Sequence, residues 1–247
     1  MRKCGTSWLH ENFLKDPNTS TTISTKESGF FTSHPTVNKE SYLKLFQNVD
    51  NCLLKVECDA SVCYDNVSTK KIKDLIPASK IILIVRNPYK YLVSRFIHSK
   101  RKGETSSRTI NEFFNEDWVQ KELTYKYILD KFNVLERGNF KVIRFEKINN
   151  PHIFYREICD FLSNGEYQPQ SAFVLEPQNQ MRKSKIPMLS KTLTFAATKF
   201  RKAGLHNIVN NIKSLGLHKT IETNFKSDEK SKLLIEAMDL NSTLLES

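Results

Sequence analysis

The stretch Ile81-Ile82-Leu83-Ile84-Val85-Arg86-Asn87-Pro88 decides the fold class. Its five leading residues are apolar without a break, the pattern of a short strand covered on both faces, as in a parallel sheet. Pro88 then suits the first turn of a helix, where its missing N–H costs nothing. Two more strand-like runs, Leu53 to Glu57 and Lys141 to Phe145, are likewise followed by helix-like segments. Helical patterns cover Trp8 to Lys15, Lys39 to Asn48, Asn66 to Ile76, Pro88 to Lys100, Trp118 to Leu135 and Pro151 to Leu162. Strands alternating with helices imply βαβ units, so the expected fold is α/β: three layers, a parallel sheet flanked by helices.

No internal repeat, low-complexity tract or long Pro/Gly/Ser linker divides the 247 residues. One domain over residues 1–247 is expected, with a core at 1–190 and a basic helical extension at 191–247. The extension is clearest over Lys191 to Ala203 and Asp228 to Leu245. Hydrophobic residues at 39% and charged ones at 26% exclude a disordered chain. Glycine is scarce, 7 of 247, so each one is expected where only glycine will do.

The 38 Lys plus Arg outnumber 27 Asp plus Glu, a formal charge of +11 that predicts attraction to polyanions without choosing among them. No window holds the 18 or more apolar residues of a membrane span, and no apolar leader opens the chain. A soluble, cytoplasmic protein without a transmembrane segment is expected, unless an upstream segment has been lost. The five cysteines, at 4, 52, 58, 63 and 159, form no CxxC pair and have no histidine at metal-ligand spacing. Reduced thiols are the first reading, and a Cys58–Cys63 disulfide the alternative.

Ligands of open parallel sheets gather beyond the carboxyl ends of the strands. Two junctions have phosphate-binding character. In Arg2-Lys3-Cys4-Gly5-Thr6-Ser7-Trp8-Leu9, a cation, a glycine and two hydroxyls precede a helical pattern, so backbone N–H groups from Gly5 to Ser7 would face an anion at the helix start. A capped turn is the alternative. The spacing is not that of a Walker A loop, which counts against a nucleotide hydrolase or kinase. At the second junction Arg86 ends a strand, and Ser94 falls in the second turn of the next helix with Tyr91 and His98 on its face. Arg86 and Ser94 would meet on one phosphate; a surface ion pair and an ordinary helical serine are the alternatives.

Two anion sites without a Walker lysine resemble the sulfotransferases that use 3′-phosphoadenosine 5′-phosphosulfate (PAPS). Arg2 to Leu9 resembles their 5′-phosphosulfate loop, and Arg86-Asn87-Pro88 with Ser94 their 3′-phosphate motif. Lys26-Glu27-Ser28-Gly29-Phe30-Phe31 is similar to the Lys-Glu-x-x-Phe-Phe stretch of the branch that includes heparan sulfate sulfotransferases and bacterial relatives. Asp59-Ala60-Ser61-Val62-Cys63-Tyr64 resembles that branch's Glu-Ala/Lys-Ser-Pro-x-Tyr, and Val142 to Glu146 with the helix to Leu162 resembles its later strand, turn and helix. Departures are Tyr91 for a common Arg, Phe96 for a common Tyr, Val62 for Pro, and Ala60 where heparan-type enzymes often carry Lys. The strand that would feed the phosphosulfate loop is expected to be missing, since only Met1 and Arg2 precede Lys3.

The resemblance implies a P-loop NTPase-like sulfotransferase fold and transfer of a sulfuryl group from PAPS to a hydroxyl or amine, with a carbohydrate as the expected acceptor and no metal. It implies Glu27 as the base that takes the acceptor proton, Lys3 at the bridging oxygen, and Lys26 supporting the same charge or orienting the acceptor. His34 and His98 are the alternative bases. Donor-binding residues would be Arg2, Lys3, Cys4, Gly5, Thr6, Ser7, Trp8, Arg86 and Ser94, with Arg182 and Lys183 as a late basic lid or else a surface cluster. No specific nucleic-acid partner is expected, since no helix-turn-helix, zinc-finger or RNA-binding signature is present. A basic nucleic-acid-binding protein and an inactive PAPS-binding fragment are the competing readings.

Overall fold

The computed structural model describes residues 1–46, 52–123, 125–132, 138–169, 174, 182–184 and 222–224. In chain order the elements are α1 (Thr6–Lys15), β1 (Thr19–Thr21), α2 (Lys39–Leu43), β2 (Leu54–Val56), α3 (Ser68–Leu75), β3 (Ile81–Val85), α4 (Pro88–Lys102), α5 (Ile110–Phe114), α6 (Asp117–Leu123), α7 (Tyr125–Phe132), β4 (Phe140–Arg144), α8 (Pro151–Ser163), β5 (Arg182–Ser184) and β6 (Glu222–Asn224). The chain divides into two compact units, Met1–Arg86 with Lys126–Gln178, and Asn87–Tyr125 with Asn179–Ser247.

In the first unit β1 lies parallel to β2, with Thr19 opposite Leu54 and Thr21 opposite Val56. Strand β3 has the bounds of the apolar run and lies parallel to β4, Ile81 opposite Phe140 and Val85 opposite Arg144. Leu83, Ile84 and Ile143 are almost wholly buried, as a strand covered by helices requires. The described strands form separate two-stranded ladders rather than one continuous sheet. The amino group of Met1 donates to Ile84 O at 3.2 Å, which sets the start of the chain beside β3. Among the described residues no helix is long and apolar enough to cross a membrane.

The core of this unit is aromatic. Helix α1 turns Leu9 and Phe13 inward, and α8 turns Phe154, Tyr155 and Ile158. Trp8 stacks on Phe154 with ring centres 5.7 Å apart. Asn164 ends α8 in the left-handed conformation, a common helix stop. Strand β1 escapes a reading based on apolar periodicity, because Thr19, Ser20 and Thr21 are hydroxyl residues, yet all are buried. Thr19 Oγ1 is satisfied by Phe13 O at 2.6 Å, whereas the buried Thr21 Oγ1 has no hydrogen-bond partner among the described residues.

The expected Trp118–Leu135 helix begins as α6 and α7, two separate elements, and its end lies outside the described residues. Lys191–Ala203 and Asp228–Leu245 also lie outside them. Within the stretch expected to be a helical extension, β6 is instead a strand, antiparallel to β5. Thr223, inside β6, is β-branched, which favours extended backbone.

The second unit is organised around a buried ion pair. Asn87 caps α4 by accepting from Lys90 N–H, with Pro88 in the first turn and Gly103 closing the helix in the left-handed conformation. From α4, Arg95 Nε donates to Glu122 Oε2 on α6 at 2.9 Å, and its Nη1 to Glu104 Oε2 at 2.8 Å and Ser99 Oγ at 2.7 Å. Tyr91 OH donates to Glu122 Oε2 at 2.5 Å, and the guanidinium lies 4.7 Å from the centre of the Trp118 ring. Arg95 and Glu122 are 4% and 5% exposed, so neither charge has water to fall back on. Arg95→Met strands Glu122 in the interior and is expected to cost about 3–5 kcal/mol in urea denaturation.

Candidate functional site

The site is built at the start of α1. Gly5 is the N-cap with φ +81°, no side chain caps the helix, and Lys3 is also left-handed at φ +56°. A turn of this kind aims backbone N–H groups outward at the positive end of the helix dipole, where an anion is stabilised. A Cβ on Gly5 would stand 2.6 Å from Phe145 Cε2, so both the turn and its close packing demand glycine. Ser7 is exposed and Thr6 half-buried, while Cys4 is fully buried and its thiol is pushed up to about 11 by that burial.

Arg86 leaves the carboxyl end of β3 and reaches this loop. Its Nη1 donates to Lys3 O at 3.0 Å, and its guanidinium carbon lies 4.7 Å from the centre of the Phe145 ring. One cation thereby braces the backbone of Lys3 in the turn before α1. Arg2 packs over Tyr64, 5.0 Å from the ring centre, and its N–H donates to the Tyr64 hydroxyl at 3.4 Å.

Lys26 and Glu27 come from residues 23–38, which contain neither helix nor strand. Lys26 Nζ donates to Thr6 Oγ1 at 3.0 Å, to Glu27 Oε1 at 2.5 Å and to Cys58 O at 3.4 Å. It therefore ties the start of α1, the Glu27 loop and the end of β2 together. Burial pushes the Glu27 carboxyl up, but the Lys26 ammonium and its hydrogen bond, Arg2, and the Ala60 N–H outweigh that and hold it below the usual carboxylate range. The side chain is still 43% exposed. An ionised, accessible carboxylate beside an uncapped helix start is equipped to receive a proton at neutral pH.

Of the residues singled out in the sequence, Arg2, Lys3, Cys4, Gly5, Thr6, Ser7, Lys26, Glu27 and Arg86 all lie in the first unit. Trp8 turns its side chain into the core against Phe154 and Tyr155, leaving only its backbone at the helix start. Ser94 is half-buried on α4 in the second unit, where Tyr91 and Phe96 are buried and Phe96 packs on Phe113. Arg182 and Lys183 form β5, and their side chains lie outside the described structure. His34 is exposed, and His98 Nδ1 lies 3.3 Å from Arg101 Nη2. The five thiols are all free, including Cys58 and Cys63. Among the described residues no group of three or more His, Cys, Asp and Glu is placed to hold a metal.

His10 was not visible as a site residue. It is 7% exposed on α1, and its Nε2 lies 2.8 Å from Thr22 O, an acceptor, so that nitrogen carries the hydrogen. Thr22 Oγ1 in turn donates to Lys26 O at 3.3 Å. Burial lowers the His10 pKa, a shift that Lys26 reinforces and that outweighs the raising effects of the Thr22 hydrogen bond and Glu27, and keeps the ring neutral behind the Lys26–Glu27 pair. A histidine inside an amphipathic helix carries no sequence signal of such a contact.

The sulfotransferase domain family matches residues 1–207. The chain belongs to that family, whose chemistry is sulfuryl transfer. Among solved structures it is similar to a sulfotransferase from Alicyclobacillus acidocaldarius, with a TM-score of 0.58 and 20% identity over 85% of this chain and 92% of that one. This likeness shows the α/β sulfotransferase fold. No curated protein matches the chain.

Two outcomes follow from the geometry. Lys26→Met removes the cation that offsets burial, so the Glu27 pKa rises, readable by carboxylate ¹³C NMR titration. Gly5→Ala meets both the left-handed φ and Phe145, and is expected to lower stability by about 1–3 kcal/mol in a denaturant melt.

Proposed function

We propose that this sulfotransferase takes its sulfuryl group from PAPS and delivers it to a hydroxyl or amine, most simply of a carbohydrate. The observation that carries the reading is the Lys26 ammonium, which joins Thr6 of the anion-accepting turn to the Glu27 carboxylate. This contact brings the turn and the carboxylate to one ammonium, which supports a reading in which donor and acceptor are positioned together. The uncapped start of α1 and the left-handed Lys3 and Gly5, with Lys3 O held by Arg86, suit the phosphosulfate end of the donor. Arg86 and Ser94 are assigned to its 3′-phosphate, and Arg182 and Lys183 to a basic lid. The two units act as one sulfotransferase domain in this reading.

PAPS supplies the sulfuryl group and leaves as adenosine 3′,5′-bisphosphate. Glu27 takes the acceptor proton as the new bond to sulfur forms. Lys3 neutralises charge at the bridging oxygen while the old bond breaks, and Lys26 keeps Glu27 ionised beforehand. The Lys26 to Phe31 tract, similar to that of heparan-type enzymes, and the +11 charge support an acidic glycan as acceptor. Free thiols support a reducing compartment, and we place the reaction in the cytoplasm.

Adenosine 3′,5′-bisphosphate is expected to raise the melting temperature, and Arg86→Ala to diminish that shift. Labelled sulfate is expected to pass from PAPS to a member of a panel of glycans, lipids and small alcohols. Glu27→Ala keeps the thermal shift and loses about 10²–10⁴ in transfer rate. No thermal shift at saturating ligand, or full transfer by Glu27→Ala, overturns the assignment.

A further inference from the structure

Residues 23–38 carry Lys26 and Glu27 without any regular element, so their backbone N–H groups must find acceptors elsewhere. Two carboxylates at the end of β2 provide them. Glu57 Oε1 accepts from Ser28 N–H at 2.9 Å, and Asp59 Oδ2 accepts from Gly29 N–H at 3.0 Å. These are the two peptide groups that follow Glu27, and Gly29 then turns the chain at φ +65°. Asp59 Oδ1 also accepts from Ser61 N–H at 2.8 Å, which orders the turn whose Ala60 N–H bonds the Glu27 carboxylate. Tyr42 OH donates to Glu57 Oε2 at 3.1 Å, and its ring stacks on Phe30 with centres 4.4 Å apart.

Neither Glu57 nor Asp59 forms an ion pair among the described residues, and the two stand two positions apart in a partly buried place. Burial, and then the neighbouring Asp59, push the Glu57 pKa up against the hydrogen bonds that lower it. Two like charges without a cation are a costly way to satisfy two N–H groups. What the arrangement secures is direction: charge-assisted bonds fix the peptide planes on one side of Glu27, and Ala60 N–H fixes its carboxylate.

We propose that Glu57 and Asp59 are positioning residues, a carboxylate clamp that holds Glu27 against Lys26 and the Ala60 N–H. The inference rests on the reading of Glu27 as the base, but its test does not need turnover. The charged groups that act on Glu27 are Lys26 and Arg2, with the Ala60 N–H bonded to its carboxylate and His10 nearby. Removing a nearby negative charge, with nothing else altered, lowers the pKa of Glu27. Releasing the clamp does the opposite, since Glu27 loses Lys26 and Ala60.

The experiment is a ¹³C NMR titration of Glu27 in the full chain and in Asp59→Asn, Glu57→Gln and Asp59→Glu, each checked for a cooperative melt. Asp59→Asn and Glu57→Gln are expected to raise the Glu27 pKa by about 1, and Asp59→Glu to restore it. Binding of adenosine 3′,5′-bisphosphate is expected to stay within about twofold, since the anion loop is untouched. An unchanged or lowered Glu27 pKa in the two amide variants overturns the clamp. Should Asp59→Asn not melt cooperatively, the same criterion applies to Glu57→Gln, which keeps its volume. Full transfer by Glu27→Ala alongside a raised pKa in the amide variants would remove the base assignment and leave the clamp standing.

Discussion

The ammonium of Lys26 is the tie on which the site depends. One nitrogen touches the side chain of Thr6, the carboxylate of Glu27 and the carbonyl of Cys58. These groups come from a helix start, an irregular loop and a strand end, far apart in sequence. Loss of any one would leave the ammonium partly unsatisfied, and loss of the ammonium would leave Glu27 to the opposing effect of burial. The pair is part-exposed, so its contribution to global stability is small. Its contribution to local geometry is large, because three donors on one tetrahedral centre specify three directions at once.

Behind that tie the protein relies on hydrogen bonds from polar groups placed where apolar packing alone would be cheaper. His10 reaches Thr22 O, Thr22 reaches Lys26 O, and Asp16, only 2% exposed, accepts from the hydroxyls of Tyr155 at 2.9 Å and Tyr167 at 2.5 Å. The second unit does the same with Arg95 and Glu122. Buried polar groups of this kind tolerate few alternative arrangements, which makes them instruments of specificity more than of stability.

How much of this is legible in the sequence depends on the range of each interaction. The run Ile81 to Val85 declares a buried parallel strand because its own side chains face the core. Gly5, Lys26 and Glu27 are legible because they sit in short contiguous tracts with a helix start or an adjacent partner. Strand β1 is hidden, since its residues are hydroxyls whose burial depends on α1 and β2. Glu57, Asp59 and His10 are hidden for a related reason: their partners are backbone atoms of residues 12 to 30 positions away, and a backbone atom has no sequence identity to recognise. Tyr91 resembles a departure from a basic position when read alone, and proves to be a partner of Glu122.

Cys4 sits inside the turn before α1, between the left-handed Lys3 and Gly5, and is wholly enclosed. Its thiol is held protonated by that enclosure, so alkylating reagents meet neither an accessible sulfur nor a thiolate while the turn is closed. Its modification therefore requires the turn to open, and the rate of labelling becomes a clock for that opening. An anion that fastens the turn would slow the clock, giving the loop an internal reporter that needs no added dye.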